Sequence, residues 1–321
     1  MNFEIKDITI EKLASTYLRE NKYISYKLEP EHINYKKEYF SNSKFINLSF
    51  SLLTELNEIL CPITLEKNMI KAKLNFFGDY VQIFSKKKIN SKDYQILNTT
   101  FENLKKKYFV KDLDLKVATE QNLEELNEKK TYEKVISDIF IDLNKSDDEI
   151  MKNFKPRLRN QIRQNYDDVE YKIMDHNNYK KNEIFKMMKM HEIVSGKKTR
   201  SPKTWEINEK MILNKKGILV YVEYKKEIIS YSFFSLNPIT CAYFSACTIR
   251  EYFKIIKNIQ HKSFWHVIKY LRKKSKNLYL GSITKLPLSQ DDTKLQSVEK
   301  FKSKFSKTDD LFLICKNLKV I

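Results

Sequence analysis

The stretch that decides the fold is residues 259–316, IQHKSFWHVIKYLRKKSKNLYLGSITKLPLSQDDTKLQSVEKFKSKFSKTDDLFLICK. Phe264, Ile268 and Leu271 recur on one side of a 3.6-residue repeat, which predicts an amphipathic helix. The apolar run that ends at Gly281 predicts a short buried strand. A second run with helical spacing and a closing apolar run follow. The predicted order is therefore helix, strand, helix, strand.

The amino-acid composition indicates a globular protein without a membrane-spanning segment. The chain has 321 residues, of which 41% are hydrophobic and 13% aromatic, so we expect a globular protein of one large domain or two ordinary ones. No run approaches the roughly 18 apolar residues that a membrane-spanning helix needs, and the first residues show no apolar core of a signal peptide. We expect a cytoplasmic protein without a membrane span.

The cysteines and the charge narrow the function classes. The four cysteines are scattered without a C-x-x-C pair, which argues against a zinc or disulfide framework, and we expect no metal. The net charge of +19 favours a phosphate-bearing partner, although lysine-rich solvated faces explain much of it. Arginine is scarce, and three of the arginines cluster at Arg157, Arg159 and Arg163.

The first half mixes helix and strand patterns. The apolar spacing of residues 45–60 is of helix length, and residues 71–84 alternate on both sides of a Gly78-Asp79 turn, which predicts a β-hairpin. A helix over 91–107, a strand over 113–118 and a charged helix over 120–129 follow. A polar seam at 129–133 predicts two domains, 1–133 and 134–321.

The second half begins with a predicted strand over 135–143. Ser146 and Glu149 form a capping box for the next helix, which Pro156 must kink or divide. Arg159 and Arg163 lie four positions apart, so both guanidinium groups project from one side of that helix and could hold phosphate or carboxylate oxygens. Further helices and a three-strand meander over 218–248 lead into the stretch quoted above.

Several short motifs occur in this order: the segment PRLRNQIR (156–163), the strand YLG (279–281) and the segment FKSKF (301–305). They resemble the R-x-x-I-R, "yelG" and FK-x-x-F signatures of the FemAB-like branch of the GNAT acyltransferase superfamily over roughly residues 138–306. The resemblance implies an α/β (α+β) fold with two tandem GNAT-like lobes, whose mixed, mostly antiparallel sheets are flanked by helices.

Two departures from the family pattern stand out. The chain has Phe305-Ser306 where the family has F-G, and it has no Q/R-x-x-G-x-G loop between Thr248 and His261. In related enzymes the backbone N–H groups of that loop hold the pyrophosphate of CoA at a helix start. Donor binding should therefore differ in detail.

The resemblance assigns roles to particular residues. The predicted catalytic residues are His261, whose reference pKa lies near 6.5, and Lys302, which would stabilise the oxyanion or hold a phosphate. Asp292 and Glu299 are reserve candidates for the general base. The predicted substrate-binding residues are Arg159, Arg163, Trp265, Tyr243 and Lys294. We expect the arginine helix and the 259–316 stretch to line one cleft.

The predicted activity is N-acyl transfer to an amino sugar, presented as a nucleotide-sugar or lipid-linked precursor in bacterial surface polysaccharide assembly. The donor would be an acyl-CoA or an acyl carrier protein thioester, and peripheral membrane contact is compatible with a lipid-linked substrate. The alternatives are an aminoacyl-tRNA-dependent peptidyltransferase that extends peptidoglycan precursors, with tRNA as partner, and a non-catalytic nucleic-acid-binding protein. The sequence shows no long heptad-patterned insertion of the kind that grips tRNA.

Overall fold

The computed structural model describes residues 3–55, 57–119, 132–286, 293–306 and 310–315. Within these ranges the chain forms nine α-helices and 17 strands. The helices are α1 (Ile10–Ala14), α2 (Pro30–Tyr39), α3 (Ser91–Tyr108), α4 (Asp147–Asn153), α5 (Pro156–Arg163), α6 (Glu183–Ser195), α7 (Pro202–Leu213), α8 (Ile259–Leu271) and α9 (Thr293–Lys302). Short 3-10 helices cover Tyr17–Glu20, Ser25–Leu28 and Arg250–Lys254.

The strands pair into three sheets. They are β1 (Phe3–Asp7), β2 (Lys44–Asn47), β3 (Phe50–Thr54), β4 (Glu58–Cys61), β5 (Thr64–Lys67), β6 (Ala72–Asn75), β7 (Val81–Gln82), β8 (Phe84–Ser85), β9 (Asp112–Leu113), β10 (Leu115–Ala118), β11 (Lys134–Asp142), β12 (Val169–Met174), β13 (Gly217–Tyr224), β14 (Glu227–Ser235), β15 (Thr240–Thr248), β16 (Asn277–Leu286) and β17 (Asp310–Cys315). The nine-stranded sheet has the order β12-β13-β14-β15-β16-β11-β17-β10-β7. The four-stranded sheets are β1-β3-β4-β8 and β2-β5-β6-β9.

The nine-stranded sheet splits at its middle. Parallel strands β15 and β16 pair only at Thr240–Ala242 with Asn277–Tyr279. Beyond these pairs β15 continues along β14 and β16 continues along β11, so the two strands diverge. A β-bulge leaves Phe244 as the extra residue of β15, and another leaves Leu280 as the extra residue of β16. A bulge bends its strand and redirects the side chains and backbone groups beside it. Both bulges lie where β15 and β16 begin to diverge.

Helices cover both faces of this sheet. One core joins α4, α5, α8 and the segment after α9 to the sheet through Phe154, Phe264 and Phe305. The other face packs against α6 and α7 through residues such as Trp205 and Phe233. Adjacent residues of β14, Phe233 and Phe234, point into different cores because side chains alternate along a strand.

Much of the predicted order is confirmed. The meander is β13, β14 and β15, and the opening stretch forms α8, β16, α9 and β17. The Ser146–Glu149 capping box is present, and Pro156 divides the predicted helix into α4 and α5. The strand that ends in the prediction at Gly281 continues to Leu286. The nine-stranded sheet takes β7 and β10 from before the predicted seam at 129–133.

Two predictions for the first half are wrong. Residues 45–60 form parts of β2, β3 and β4 instead of a helix, because a short apolar run fits either structure and the turn at Asn47 divides this one. The turn at Gly78 exists, with Gly78 at φ +82°, and an antiparallel bridge between Phe76 and Asp79 closes it, but the predicted hairpin does not extend beyond that bridge. β6 pairs with β5 and β9, whereas β7 pairs with β10.

Some predictions fall outside the described residues. These are the charged helix over 120–129 and the reserve base Asp292. The backbone of Lys294 belongs to α9, but its side chain is outside the described part as well. Within that part no helix is long and apolar enough to cross a membrane, and no group of three potential metal ligands comes together.

Candidate active site

A cleft of about 470 Å³ lies where the diverging strands meet the N-terminal part of the chain. We call it the central cleft. Its lining combines aromatic rings with charged side chains from distant segments: Tyr26, Lys27, His32, Tyr35, Lys36, Tyr39, Asp79, His191, Thr199, Arg200, Ala242, Tyr243, Phe244, Ser245 and Tyr279. Such a mixture suits a ligand with flat or ring-shaped apolar faces and anionic groups.

Three charged residues of the cleft form one group. Lys36 donates to Asp79 at 2.8 Å, and the Nζ of Lys27 lies 3.6 Å from the same carboxylate. Burial opposes ionisation of Asp79, but the two lysines outweigh it and hold its pKa below the usual range. The group carries one net positive charge in a site with little access to water, so it would attract an anion.

Arg200 supplies a second positive centre. Its guanidinium lies 3.7 Å from the ring centre of Trp205 and donates to Ser245 Oγ at 3.2 Å. It also donates to the hydroxyl of Tyr35, which ties the N-terminal part to β15. Stacking on an aromatic ring fixes the planar guanidinium in the orientation that phosphate recognition requires.

His32 is the buried polar group of the cleft wall. Its ring stands edge-on to Tyr26 and Phe244, each 5.4 Å away, and neither nitrogen has a hydrogen-bond partner in the described structure. Burial, assisted by Lys36, lowers its pKa to about 3, so the imidazole is neutral near pH 7. Sequence reasoning missed His32, Lys36 and Arg200, because single residues far apart in the chain carry no motif.

A buried polar network lies behind the cleft. Tyr279 and Ser282 donate to Asp138 at 3.4 and 2.7 Å, and Asp138 pairs with Lys116. Both charged side chains are nearly inaccessible, at 4% and 3% exposure. Burial, partly offset by Asp138, lowers the pKa of Lys116 to about 8. The network fixes Tyr279, whose ring faces the cleft.

Lys302 reaches the same strand. Its Nζ lies 3.5 Å from the carbonyl of Ser282 and directly above Gly281. Gly281 has φ +102°, which a residue with a side chain rarely adopts, and a Cβ there would meet the lysine. Burial lowers the pKa of Lys302. The YLG strand and the FK helix, matched separately in the sequence, therefore form one unit in space.

His261 lies in a different environment. It is 9% exposed, packs against Phe301 at 4.9 Å, and its Nε2 is 3.3 Å from the Nζ of Lys304. Burial, then the charges of Lys304 and Arg157, lower its pKa to about 3. A neutral imidazole with so low a pKa is a weak general base near pH 7.

A second concave surface lies between α5, β12 and α8. We call this cavity of about 760 Å³ the basic groove. Arg163, Lys262, Lys269 and Trp265 line it, and the rings of Tyr171 and His266 stack 4.9 Å apart at 10°. Arg163 and Lys269 form no ion pair within the described residues. Arg159 lies half-buried on the same helix.

The predicted site residues are thus distributed over three places. Arg163 and Trp265 line the basic groove, and Tyr243 lines the central cleft. His261 and Lys302 line neither cavity, and His261 packs on Phe301 where α8 meets α9. The cleft expected between the arginine helix and the 259–316 stretch is the basic groove, which Arg163 of α5 and Trp265 of α8 line, but His261 and Lys302 do not line it.

The segment before α8 replaces the glycine-rich loop with the 3-10 turn Arg250–Lys254. Asn258, the N-cap residue of α8, makes no capping hydrogen bond and donates instead to Gln164 at 2.6 Å. The first N–H groups of α8 are therefore left without a side-chain cap, and such groups can hold phosphate oxygens.

No protein-family model matches the chain, and no curated protein matches it in sequence. Solved structures do match it. FemX superposes with a TM-score of 0.59 at 12% identity, covering 98% of this chain and 96% of FemX. A tandem GNAT protein from the clavulanic acid biosynthesis pathway gives 0.51 at 8% identity, covering 98% and 97%.

The C-terminal domain of a putative lysylphosphatidylglycerol synthetase from Agrobacterium fabrum gives a TM-score of 0.51 at 10% identity, covering 96% of this chain and 91% of that one. Similarity at these identities shows the fold. The chain shares its fold with FemX and with this tandem GNAT protein, so the predicted GNAT-like fold class is confirmed.

Proposed function

We propose that the chain is an N-acyltransferase whose acceptor binds in the central cleft and whose acyl donor enters between β15 and β16. The acceptor is an amino sugar, presented as a nucleotide-sugar or lipid-linked precursor for surface glycan assembly. The observation that carries the proposal is the split of the nine-stranded sheet after three residue pairs, directly beside the cleft.

The split offers main-chain groups to an extended ligand. Beyond Ala242 and Tyr279 the facing edges of β15 and β16 no longer pair with each other. Free strand edges bind extended chains that carry amide groups, and the bulges at Phe244 and Leu280 turn backbone groups towards the gap. The arm of an acyl-CoA or acyl carrier protein thioester has this character.

The cleft suits a sugar linked to phosphate. The rings of Tyr26, Tyr35 and Tyr243 provide flat apolar surfaces, while Arg200 and the Lys27–Lys36–Asp79 group provide positive charge. Charge-assisted hydrogen bonds to phosphate are among the strongest that side chains make. A pyrophosphate-linked sugar, whether carried by a nucleotide or a lipid, satisfies both requirements.

The reaction needs little from the protein beyond placement and charge. The neutral amine attacks the thioester carbonyl, an N–C bond forms, the C–S bond breaks, and the proton lost from nitrogen balances the one gained by the thiolate. Lys302, beside Ser282 and Gly281, would stabilise the oxyanion of the tetrahedral intermediate. His261 remains a candidate proton acceptor, but its pKa of about 3 makes Lys302 the stronger candidate for a catalytic role.

The basic groove supports a second candidate function, aminoacyl-tRNA-dependent transfer to a peptidoglycan precursor. Exposed cations beside the Tyr171–His266 stack suit a nucleic acid, which combines phosphates with flat bases. In that case tRNA would deliver the acyl group, and the cleft would still hold the acceptor. The two functions therefore differ in the donor and share the site of transfer.

Binding measurements distinguish these functions. Acetyl-CoA, UDP and a CCA-ended RNA hairpin are titrated calorimetrically into the wild-type chain and into Arg200→Gln. We expect UDP to bind the wild type and to lose about tenfold or more in affinity in Arg200→Gln, because a bidentate phosphate contact is lost. Acetyl-CoA binding with no effect of the hairpin supports sugar acylation, and the reverse supports the tRNA-dependent reaction. Absence of binding by all three contradicts the proposal.

Once a donor and an acceptor bind, variants test the chemistry. Lys302→Ala should lower kcat by about 100- to 1000-fold, the loss typical for one oxyanion-stabilising group. Lys300→Ala, which removes an exposed lysine from the same helix, is the matched control. His261→Ala measures the role of the imidazole. If both Lys302→Ala and His261→Ala keep turnover within about threefold of wild type, the catalytic assignment is wrong.

A further inference from the structure

The turn between β5 and β6 exposes two apolar side chains completely. Met69 is 102% exposed and Ile70 is 92% exposed. The turn itself is well built, because Asn68 Oδ1 accepts hydrogen bonds from the N–H groups of Ile70 and Lys71, each at 2.9 Å. Two fully exposed apolar side chains in an ordered turn gain nothing from burial. Exposed apolar side chains of this kind indicate a surface that binds another molecule.

A third apolar side chain lies at the same end of the sheet. Phe109 ends α3 and is 94% exposed. In the parallel ladder Lys73 pairs with Asp112, and Ile70 and Phe109 each stand three residues earlier. The segments that lead into β6 and β9 therefore start from one edge. We call Met69, Ile70 and Phe109 together the apolar tip.

The backbone of Phe109 adds an independent observation. Its φ of +53° places it in the left-handed region, which glycine and asparagine normally occupy at the end of a helix. A phenylalanine here carries strain and also leaves its ring in water. Neither disadvantage serves the fold of the isolated chain, whereas both make sense if the ring has a partner outside it.

Lysines surround the apolar tip. Lys44 and Lys67 are direct neighbours across β2 and β5, an arrangement in which like charges repel. These two lysines, Lys71 and Lys111 make no ion pair with any described residue. Apolar side chains within a ring of unpaired lysines match the two layers of an anionic bilayer surface, the acyl region and the headgroups.

We infer that the apolar tip with its lysines is a docking surface for an anionic lipid bilayer, into which Met69, Ile70 and Phe109 insert. β6 runs from this tip towards the turn that carries Asp79 of the central cleft, and it spans about 10 Å from Ala72 to Asn75 at 3.3 Å per residue. Docking would bring the cleft within reach of a lipid-linked sugar. The inference concerns binding and does not depend on the proposed reaction.

Vesicle sedimentation tests it with the full-length chain. Vesicles of phosphatidylcholine alone are compared with vesicles in which about a quarter of the lipid is phosphatidylglycerol. We expect the chain to sediment with the anionic vesicles only, and less at high salt. Met69→Ser/Ile70→Ser should reduce the bound fraction about tenfold or more, whereas Leu213→Ser, which alters an exposed apolar residue of α7, should not.

Phe109→Asn separates a surface role from a structural one. Asparagine tolerates the left-handed conformation, so this variant should keep or exceed the wild-type Tm while binding anionic vesicles more weakly. The inference is overturned if wild type does not bind anionic vesicles, or if the tip variants bind as well as wild type. It is also overturned if sedimentation velocity shows a dimer that the tip substitutions dissociate, because a second copy of the chain would then be the partner.

Discussion

The central cleft and the basic groove are both positively charged, but they hold their charges differently. In the cleft, Asp79 is half-buried between Lys27 and Lys36, and Arg200 is held by Trp205, Tyr35 and Ser245. In the groove, Arg163 and Lys269 form no ion pair within the described residues. The charges of the cleft are held by partners before any ligand arrives, whereas Arg163 and Lys269 of the groove are exposed.

Because of this difference, substitutions in the cleft should affect the stability of the fold, whereas substitutions in the groove should affect ligand binding. Buried, paired charges destabilise the fold strongly when one partner is removed, because the other is left unpaired in a poorly solvated site. Exposed cations contribute little to folding, but they attract polyanions in a manner that salt weakens. A substitution in the Lys27–Lys36–Asp79 group should therefore lower the stability of the fold, whereas a substitution in the groove should mainly weaken binding.

The largest expected effect is on folding through Asp79. Asp79→Asn should lower the free energy of unfolding by about 2–3 kcal/mol, because Lys27 and Lys36 lose their shared anion in a half-buried site. Glu170→Gln, at the rim of the groove, should cost less than about 1 kcal/mol. Urea denaturation at pH 7 measures both. Equal losses would remove the distinction between the two regions.

The lowered pKa of Asp79 also predicts that the stability of the fold falls at acidic pH. Because folding lowers the pKa of Asp79, its contribution to stability is fully present above the unfolded pKa of about 3.9 and is lost as the pH falls towards the folded value. Urea denaturation at about pH 6 and pH 3 should show a larger loss for wild type than for Asp79→Asn. The variant cannot lose a charge that it lacks.

A smaller effect concerns Lys116, behind the cleft. Its folded pKa of about 8 lies below the reference value of 10.5, so the unfolded chain binds more protons between these values and stability rises with pH. Between about pH 8 and pH 9.5 this group should add roughly 1.5–2 kcal/mol. The gain should be absent in Lys116→Met. Buried tyrosines such as Tyr26, whose pKa is raised, oppose it at higher pH.

The smallest effect belongs to the groove. Arg163→Ala/Lys269→Ala should weaken binding of a CCA-ended RNA hairpin by about tenfold at low salt and lower the slope of log Kd against log salt by about one to two. The stability of the variant should stay within about 1 kcal/mol of wild type. Fluorescence anisotropy at several salt concentrations measures the slope. An unchanged slope would show that the groove does not contact phosphate.

The sequence predicted those features that depend on residues close together in the chain, such as helices and their caps. The helical spacing of Phe264, Ile268 and Leu271 and the Ser146–Glu149 capping box appear where expected. Short motifs also led to the fold, because YLG and FK mark a glycine and a lysine that must be neighbours in space. These signals need no knowledge of the remainder of the chain.

The sequence could not predict the central cleft, since its walls come from segments about 200 residues apart, such as Lys36 and Tyr243. The hairpin over 71–84 failed for the same reason. Its turn was read correctly from Gly78, but which strand pairs with which is decided by long-range partners such as β9 and β10. The low pKa of His261 depends on burial against Phe301 and on Lys304, which no residue pattern reports.

The position of β17 has a consequence for how the protein is made. This strand pairs with β10 on one side and β11 on the other, and so joins the N-terminal part to the rest of the nine-stranded sheet. It is also the last strand of the described chain to leave the ribosome. During synthesis the strand edges of β10 and β11 stay unpaired until β17 has been made. Folding intermediates with exposed strand edges are prone to aggregate. The nine-stranded sheet is therefore completed only after β17 has been synthesised.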